Sequence, residues 1–499
     1  MMRKAYIREL KPYSLAKLTV IFGCSASRTN TLVGDLMRRG IVRYRTDSKS
    51  DPEETDAEGA APDELYQFRF VGLVMMGDTL VVAYPKYFRD RMPTDDELML
   101  ILRILKRNAG IAVVTSLEDG GAASDDKLPV MLALLDLYGE YGEYSNYVEG
   151  LELNGSGSID WNRTISGHLP ILSDGRPIYI EYETRKTFRN ESDYITRLHR
   201  AVLTECSRTF REAGIDKLLS LDEVSLSDEE VEDFGDAETL SWHLERERTM
   251  QFVDWKLLTL DLLERYLLAR ESEVHNDEVR TLGTTIFYKV WENACAAVFG
   301  DALKKTLSNL GFTIENKWDV EKKLVDIIPR PQWERWLSGR FAEREETHTL
   351  IPDTVIIAES SDGEHLFCIY DAKYYVPSTN GKMERQPGVE SVTKQFLYQS
   401  AYRQFIEAHK FDRVENAFLV PGTVDEPELM ARVSFPGVIP KEKEPFDNFI
   451  YMWKLPAHDV FKAYLDGVVL DDVIAQTASM VLLGSSQEAN EALRRPAPA

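Results

Sequence analysis

Two neighbouring apolar segments with charged residues at fixed positions constrain this chain more than any other feature of its sequence. Residues 365–375 read His-Leu-Phe-Cys-Ile-Tyr-Asp-Ala-Lys-Tyr-Tyr, a strand pattern with Asp371 and Lys373 two residues apart. Side chains alternate between the faces of a strand, so these two project from the same face. Residues 348–358 form a second strand pattern, and a hairpin can bring Asp353 beside them. Burying charges among apolar neighbours costs free energy, so the pattern predicts a hairpin whose charged residues have a function.

Two carboxylates and a lysine at the ends of strands suit metal-assisted hydrolysis of a phosphodiester bond. Mg²⁺ prefers hard oxygen ligands, keeps several waters and accepts a substrate phosphate, and Mn²⁺ suits the same ligands. A bound ion lowers the pKa of the attacking water, while Lys373 would orient that water or neutralise charge on the phosphate. Taken alone, the pattern fits a surface hairpin with a salt bridge equally well.

Patterns on both sides extend this hairpin into a larger unit. Upstream, an apolar helix has Glu292 in its middle, which is either a half-buried site residue or an exposed residue of an amphipathic helix. Downstream, Lys394 and Gln395 stand at the start of another helix, where they could face phosphate oxygens or the site. The predicted elements are a helix 284–299, strands 311–318, 348–358 and 365–375, a helix from 393 and a strand 414–421.

This αβββαβ order resembles the core of the PD-(D/E)xK nucleases, an α/β fold with a mixed sheet. Several motifs narrow the resemblance to the LlaJI family of restriction endonucleases, the McrC-like nuclease subunits. The resemblance covers roughly residues 130–470 and is most specific around the hairpin. The motifs that carry it are Ile351-Pro-Asp353, Asp371-Ala-Lys-Tyr-Tyr375, Arg330-Pro-Gln-Trp333, Lys394-Gln-Phe-Leu-Tyr398 and Gly150-Leu-Glu-Leu-Asn-Gly-Ser-Gly-Ser-Ile-Asp-Trp161-Asn-Arg-Thr164.

The resemblance implies a metal-dependent endonuclease that cleaves double-stranded DNA in a restriction system directed against phage. It implies catalytic roles for the acids Glu292, Asp353 and Asp371, which would also hold Mg²⁺, and for Lys373, with Gln395 in support. It further implies an McrB-like AAA+ GTPase partner on a separate polypeptide. The chain has no GxxxxGK[ST] phosphate-binding motif, in agreement with that division of labour.

The first fifty residues differ in charge from the rest of the chain. They contain eleven Lys or Arg and three acids, a balance of +8, whereas the whole chain has −24 and the remainder therefore −32. The pattern predicts a helix from Ser14, a second helix after Gly23 and a basic strand at 41–45, the layout of a winged helix-turn-helix. Such a head contacts DNA or docks a protein partner. The candidate DNA-binding residues are Arg28, Thr29, Asn30, Arg38, Arg39, Arg43 and Arg45, together with Lys394.

Composition excludes several other classes of protein. The net charge of −24 opposes DNA binding over the whole surface, so any DNA contact must be local or shared with a partner. The four cysteines are far apart and form no CxxC pair, which argues against a zinc site or a disulfide framework and favours the cytoplasm. We expect no membrane association, because no signal-peptide pattern and no apolar run near ~20 residues is present.

The predicted organisation places an α+β scaffold between the basic head and the nuclease core. Within it we expect a hairpin over 65–84, a hairpin turn in 150–161, a strand at 177–183 and helices within 95–141, 193–213 and 237–270. The predicted ranges are 1–50 for the head, 51–64 for an acidic linker or wing tip, 65–275 for the scaffold and partner-docking region, 276–480 for the nuclease domain and 481–499 for a disordered tail.

Two other functions fit the sequence. One is a self-sufficient restriction endonuclease that recognises DNA through its basic head and needs no motor. The other is a catalytically inactive winged-helix adaptor. The presence of Asp353, Asp371 and Lys373 together argues against the adaptor, because an inactive copy has no reason to keep all three.

Overall fold

The fold is available as a computed structural model. It describes residues 2–45, 65–118, 127–276, 279–337, 340–346, 349–359, 363–378, 383–439, 441, 443, 445–446 and 448–470. The predicted acidic linker, 51–64, and the predicted tail, 481–499, lie outside the described residues.

Helices and strands alternate along most of the chain. The helices are α1 (Leu15–Phe22), α2 (Ala26–Arg38), α3 (Asp95–Glu118), α4 (Lys127–Tyr141), α5 (Trp161–Gly167), α6 (Tyr194–Ala213), α7 (Ala237–Met250), α8 (Asp254–Asn276), α9 (Phe287–Val298), α10 (Val389–Ala408) and α11 (Ala457–Asp466). Among the described residues, no helix combines the length and the apolar composition that crossing a bilayer requires.

The strands belong to several separate sheets. They are β1 (Arg3–Arg8), β2 (Pro12–Tyr13), β3 (Val42–Tyr44), β4 (Tyr66–Phe68), β5 (Val71–Met76), β6 (Thr79–Tyr84), β7 (Tyr147–Leu153), β8 (Ser158–Ile159), β9 (Ile171–Ser173), β10 (Arg176–Ile178), β11 (Glu183–Arg189), β12 (Val279–Thr284), β13 (Gln332–Leu337), β14 (Arg340–Glu346), β15 (Thr354–Glu359), β16 (His365–Ala372), β17 (Arg413–Gly422), β18 (Glu428–Val433) and β19 (Ile450–Pro456). The sheet orders are β1-β6-β5-β12, β2-β4-β3, β7-β11-β8, β9-β10, β13-β14 and β15-β16-β17-β19-β18.

The chain divides into two compact units, each built from several stretches of sequence. Unit 1 comprises Met1–Arg3, Met75–Leu80 and Lys106–Leu282, and unit 2 comprises Lys4–Val74, Val81–Leu105 and Gly283–Ala499. Unit 2 therefore contains nearly all of the predicted basic head together with most of the predicted nuclease domain, whereas most of the predicted scaffold lies in unit 1.

The main sheet of unit 2 is mixed. β15 and β16 form an antiparallel pair, whereas β16, β17 and β19 run parallel to one another. β16 and β17 are buried along almost their whole length, as expected of central strands covered on both faces. α10 packs on the face that carries Phe367 and Ile369, and Phe299, which follows α9, packs on Tyr370 of the other face. This arrangement confirms an α/β fold with a mixed sheet, while the PD-(D/E)xK topology stays a prediction.

The predicted strand at 311–318 was wrong. These residues form turns and extended chain outside any β-ladder. Their apolar side chains cover α10 instead, since Phe312 and Trp318 both pack against Phe405. An alternating apolar pattern is satisfied equally well by a loop that lays its apolar side chains on a helix. The order αβββαβ is therefore one strand short, and β13 and β14, which precede β15, form a sheet of their own.

The N-terminal elements of unit 2 follow the predicted helix–helix–strand order. Ser14 caps α1 by accepting a hydrogen bond from the amide of Lys17, and Gly23 ends that helix at φ 68°, where a side chain would be strained. Ser25 caps α2 in the same way. β3 then pairs with β4 in the sheet β2-β4-β3. These elements are as expected, and their assignment to the winged-helix fold stays a prediction.

Unit 1 is largely helical, with α4, α6, α7 and α8 packed on one another. The helix predicted over 237–270 is two helices, because the Gln251 side chain accepts hydrogen bonds from the next two backbone amides and ends the first. The strand predicted at 177–183 was wrong, since β10 ends and β11 begins at its two edges. The turn within 150–161 joins β7 and β8, but both strands pair with β11 rather than with each other.

Candidate active site

The antiparallel pair β15–β16 brings two acids together at one end of the main sheet. Thr354, the first residue of β15, pairs with Tyr370 of β16, so the same register places Asp353 beside Asp371. Both strands are runs of apolar and β-branched residues, which favour a pleated, buried conformation. Asp371 is buried and Asp353 is half-buried. The structure therefore brings these two predicted site residues together.

Lys373 completes this group from the position just beyond β16. Its Nζ lies 2.8 Å from Oδ1 of Asp371, and both side chains are largely shielded from solvent. Its backbone N donates to the carbonyl of Leu419 in β17 at 2.9 Å. Trp291 of α9 donates its Nε1 to the same carbonyl at 3.0 Å. One carbonyl of the central strand thus holds both the backbone of the lysine and the helix that carries Glu292.

The electrostatics of the acid pair favour a bound cation. Burial, then the hydrogen bond to Asp371 and its negative charge, raise the pKa of Asp353 well above its usual range, and the positive charge of Lys373 only partly opposes them. A carboxyl group with a raised pKa retains a proton that a cation can displace. The site therefore holds more acidic groups than its own lysine neutralises.

Glu292 adds negative charge to the same region. It lies half-buried in the middle of α9. Its charge contributes to the raised pKa values of both Asp353 and the buried thiol Cys295. Among the described residues, no three His, Cys, Asp or Glu side chains are close enough to hold a metal ion together. The geometry is therefore that of two carboxylates, and the ligand role of Glu292 stays a prediction.

Gln395 contacts β17, the strand that pairs with β16. It is fully buried on α10, and its Nε2 donates to the carbonyl of Ala417 at 3.2 Å. The side-chain amide of Asn416 in β17 donates in turn to the backbone carbonyl of Gln395 at 3.1 Å. The side-chain oxygen Oε1 of Gln395 is buried and accepts no hydrogen bond from the described residues. Gln395 is thus anchored to β17 with one acceptor left over.

Tyr398 is a site residue that the sequence reasoning missed. Its hydroxyl donates to the carbonyl of Ile351 at 3.1 Å and so fixes the chain just before Asp353. Burial, together with the charges of Asp353 and Asp371, raises the pKa of Tyr398 to about 12. A usable signal was present, because Tyr398 stands three residues after Gln395 and therefore on the same face of the helix.

The residues present fit a hard divalent cation. Oδ2 of Asp353 is buried without a hydrogen-bond partner among the described residues, and the adjacent Asp371 supplies further carboxylate oxygen. Mg²⁺ is held by one or two carboxylates and otherwise keeps water and substrate phosphate as ligands. Two carboxylates with an unsatisfied buried oxygen match that requirement without a third acid.

The predicted DNA-binding residues of the head differ in accessibility. Arg28 and Asn30 are exposed at the start of α2. Thr29 between them is fully buried, and its hydroxyl donates to the carbonyl of Ser25, so its side chain does not face DNA. Arg39 is exposed too, whereas Arg43 and Arg45 are half-buried in and beyond β3. Arg38 is exposed but forms an ion pair with Asp35.

Lys394 lies apart from Asp353, Asp371 and Lys373. Although it precedes Gln395 in the chain, its side chain is exposed on α10 and its Nζ lies 2.6 Å from Glu390, one turn earlier. Consecutive residues of a helix point about a quarter-turn apart or more, so Gln395 can be buried while its neighbour faces solvent. The structure therefore does not bring Lys394 to the acid pair.

Sequence comparison relates the chain to restriction enzymes. Residues 70–436 match the family model of the LlaJI restriction endonuclease. The Type II restriction enzyme BsuMI component YdjA of Bacillus subtilis (strain 168) is 26% identical over 370 residues, which cover 71% of this chain and 72% of that protein.

Two solved structures are similar in part. One is an assembly of Thermococcus gammatolerans McrB AAA+ hexamers with bound McrC, with a TM-score of 0.37, 13% identity and coverage of 93% of this chain and 99% of the other. The second is the Thermococcus gammatolerans McrBC complex, with a TM-score of 0.21, 14% identity and coverage of 55% and 88%. Both TM-scores are below 0.5.

Proposed function

This chain belongs to the LlaJI restriction endonuclease family. From that premise we propose that it is a Mg²⁺-dependent nuclease subunit, which hydrolyses double-stranded DNA at a site formed by Asp353, Asp371 and Lys373. The observation that carries the proposal is the largely buried group of two adjacent carboxylates and one lysine, in which Oδ2 of Asp353 has no hydrogen-bond partner among the described residues. Such a group is costly in an apolar sheet unless a cation and a phosphate complete it.

In this proposal, Asp353 and Asp371 would hold Mg²⁺, which would make the attacking water more acidic and neutralise charge on the phosphate. Asp353 would have to lose its proton first, since both carboxylates must be ionised to act as ligands. Lys373, held 2.8 Å from Asp371, donates to a phosphate oxygen or orients the attacking water. Tyr398 fixes the backbone before Asp353, and Gln395 offers its remaining acceptor, Oε1, to an ordered water.

The PD-(D/E)xK topology belongs to the same proposal. It is supported by the order β15, β16, α10 and β17, by the antiparallel–parallel character of those strands, and by the position of both acids at one end of the pair β15–β16. Glu292 would act from α9 as a further acid near the metal, through its charge or through a water.

Loading by an McrB-like AAA+ GTPase is the second part of the proposal. It is supported by the small sheets of unit 1, which expose apolar side chains that a folded monomer normally covers. The side chain of Leu169 is 96% exposed and that of Leu172 is 73% exposed, and further apolar side chains between Tyr147 and Ile180 are exposed as well. These exposed apolar residues include Tyr147, Leu153, Trp161, Ile165, Ile171 and Ile180. A protein partner suits this apolar surface better than DNA does, because the acidic chain repels the phosphate backbone.

The basic head supplies a local DNA contact in this scheme. Arg28 and Asn30 are exposed at the start of α2, where groove-reading side chains of helix-turn-helix proteins stand. The alternative, a self-sufficient endonuclease, uses the same residues without a motor. The two differ only in whether cleavage needs the partner.

Plasmid cleavage tests the proposal. The purified chain is incubated with Mg²⁺, with and without the AAA+ partner and GTP, and an EDTA control establishes metal dependence. We expect nicking or cutting that requires Mg²⁺ and the partner and is lost in Asp371→Asn. Cleavage by the chain alone would favour the self-sufficient enzyme, and an active Asp371→Asn variant would overturn the site.

A further inference from the structure

The ribbon formed by β13 and β14 exposes aromatic side chains that unit 2 leaves uncovered. It is a two-stranded antiparallel sheet that no third strand joins among the described residues. Trp333 is 67% exposed, Trp336 60% and Phe341 64%. A two-stranded ribbon alone is only marginally stable in water, so three solvated aromatic rings on it indicate a surface that something else covers.

Charge is separated along this ribbon. At its outer end the pairs are Arg335 with Ala342, Trp336 with Phe341 and Leu337 with Arg340, which gives two arginines and no acid. Glu343, which the register leaves without a strand partner at the bulge, separates this end from the inner one. At its inner end the pairs are Gln332 with Glu346, Trp333 with Glu345 and Glu334 with Arg344, which gives three acids and one arginine. In a chain of net charge −24, the outer end is thus a basic and aromatic exception.

The aromatic rings of the outer end are already organised. Trp336 and Phe341 lie on neighbouring strands with ring centroids 4.8 Å apart and planes at 72°, an edge-to-face contact. Such a pair presents a rigid apolar surface on one face of the ribbon and loses little conformational entropy on binding. Arg335 and Arg340 each adjoin one of these residues in its strand and therefore project from the opposite face. A ribbon end with aromatic rings on one face and arginines on the other suits a nucleic-acid groove, which offers both base faces and phosphates.

The base of the ribbon is tied to the active site. The hydroxyl of Thr349 donates to the carbonyl of Pro329 at 2.6 Å and so joins the two chain segments that lead into and out of the ribbon. Thr349 is four residues before Asp353, and the chain between them is fixed by Tyr398 through Ile351. Each strand of about six residues extends ~20 Å at ~3.3 Å per residue, less than one turn of B-DNA.

We propose that the outer end of this ribbon, Arg335, Trp336, Arg340 and Phe341, contacts the DNA substrate beside the cleavage site. The arginines bind phosphates and the aromatic pair lies against bases or sugars. A two-stranded ribbon is narrow enough to enter the major groove. This assignment rests on the proposed nuclease function and adds the surface that positions its substrate.

Salt-dependent DNA binding tests the proposal. Full-length Asp371→Asn protein, which should not cleave, is titrated with its AAA+ partner onto a fluorescent 30-base-pair duplex between about 50 and 200 mM salt. Adding Arg335→Gln and Arg340→Gln should weaken binding at least tenfold and make the slope of log K against log salt shallower by about 2. The control Arg208→Gln with Arg211→Gln removes the same charge from α6 and should leave the slope unchanged.

The aromatic contact is tested separately. Trp336→Ala should weaken binding about tenfold with an unchanged salt slope, whereas Trp333→Ala, equally exposed at the acidic end, should have little effect. If the Asp371→Asn parent binds DNA, and the variant that also carries Arg335→Gln and Arg340→Gln binds with the same affinity and salt slope, the ribbon assignment alone is overturned. Normal DNA binding combined with lost partner-stimulated cleavage would assign the ribbon to protein docking instead. If the Asp371→Asn parent binds no DNA and the wild-type protein cleaves none, the proposed function is overturned as well.

Discussion

Tyr374, the residue after the site lysine, donates a hydrogen bond of 2.5 Å to Oε2 of Glu9, 365 positions earlier in the chain. The same carboxylate oxygen accepts from the backbone amide of Lys86 at 3.1 Å, and the Nζ of Lys86 lies 4.6 Å from the centre of the Tyr374 ring. All three residues are buried. The residue that follows the N-terminal strand β1 is therefore joined to the chain just after the candidate site lysine through one buried polar contact.

Removing the hydroxyl of Tyr374 should destabilise the protein. Tyr374→Phe leaves a buried oxygen of Glu9 without one of its donors, at a cost of about 1–3 kcal/mol in the free energy of unfolding. Urea denaturation followed by circular dichroism measures this loss. Tyr6→Phe, which removes a hydroxyl from an exposed residue of β1, the strand just before Glu9, is the matched control and should change little. Equal midpoints for the two variants would show that the contact contributes nothing.

Glu9 should make stability depend on pH. Burial raises its pKa above the ordinary 4.5, and the charge of Lys86 only partly offsets this. A carboxyl group with a raised folded-state pKa contributes stability that is complete below the unfolded pKa and is lost as pH rises through the folded pKa. Relative to Glu9→Gln, the wild type should therefore lose unfolding free energy as pH rises above 4.5. Denaturation midpoints of both proteins across pH 5–8 measure the difference, and a constant difference would contradict the assignment.

The site lysine should be indispensable for cleavage. Lys373→Ala removes the donor held 2.8 Å from Asp371 and leaves that buried carboxylate without its ion-pair partner. We expect a loss of at least ~100-fold in the cleavage rate, the scale on which charge-stabilising donors act. Lys394→Ala, on the neighbouring helix but paired with Glu390, should keep the rate within about twofold. Single-turnover cleavage at saturating protein compares them, and similar rates for both variants would refute the placement of Lys373.

Metal binding should strengthen with pH. Because burial and Asp371 raise the pKa of Asp353, its proton competes with a divalent cation until pH exceeds that pKa. The increase in Tm caused by Mg²⁺ or Mn²⁺ should accordingly be larger at pH 8 than at pH 6, with each tenfold gain in affinity worth about 1.4 kcal/mol. Asp353→Asn should abolish the pH dependence, and an EDTA-treated sample sets the baseline. A shift of equal size at both pH values would exclude Asp353 as a ligand.

The local part of the site was accessible from sequence. Alternation placed Asp371 and Lys373 on one face, and the length of the intervening turn allowed Asp353 to meet them. The same alternation was misleading at 311–318, where the apolar side chains pack on α10 without strand pairing. Apolar periodicity reports which side of a segment is covered, and it does not report whether the cover is a neighbouring strand or a helix.

Contacts between distant segments were not accessible. Nothing in the pattern around Glu9 indicates Tyr374, because the pairing depends on how two strands of different sheets end near each other. Thr29 illustrates the same limit over a shorter range. Its neighbours Arg28 and Asn30 are exposed, and its own burial follows from the packing of α2 rather than from its residue type.

The contact between Glu9 and Tyr374 cannot form until both residues have been synthesised. At a synthesis rate of about 5–20 residues per second, a ribosome that has made Glu9 needs roughly 20–70 s more to reach Tyr374. Throughout that interval the nascent chain carries a carboxylate without its tyrosine, and Asp353, Asp371 and Lys373 do not yet exist together. The proposed site therefore cannot be assembled, and cannot act on the DNA of the cell that makes it, before Tyr374 has been synthesised.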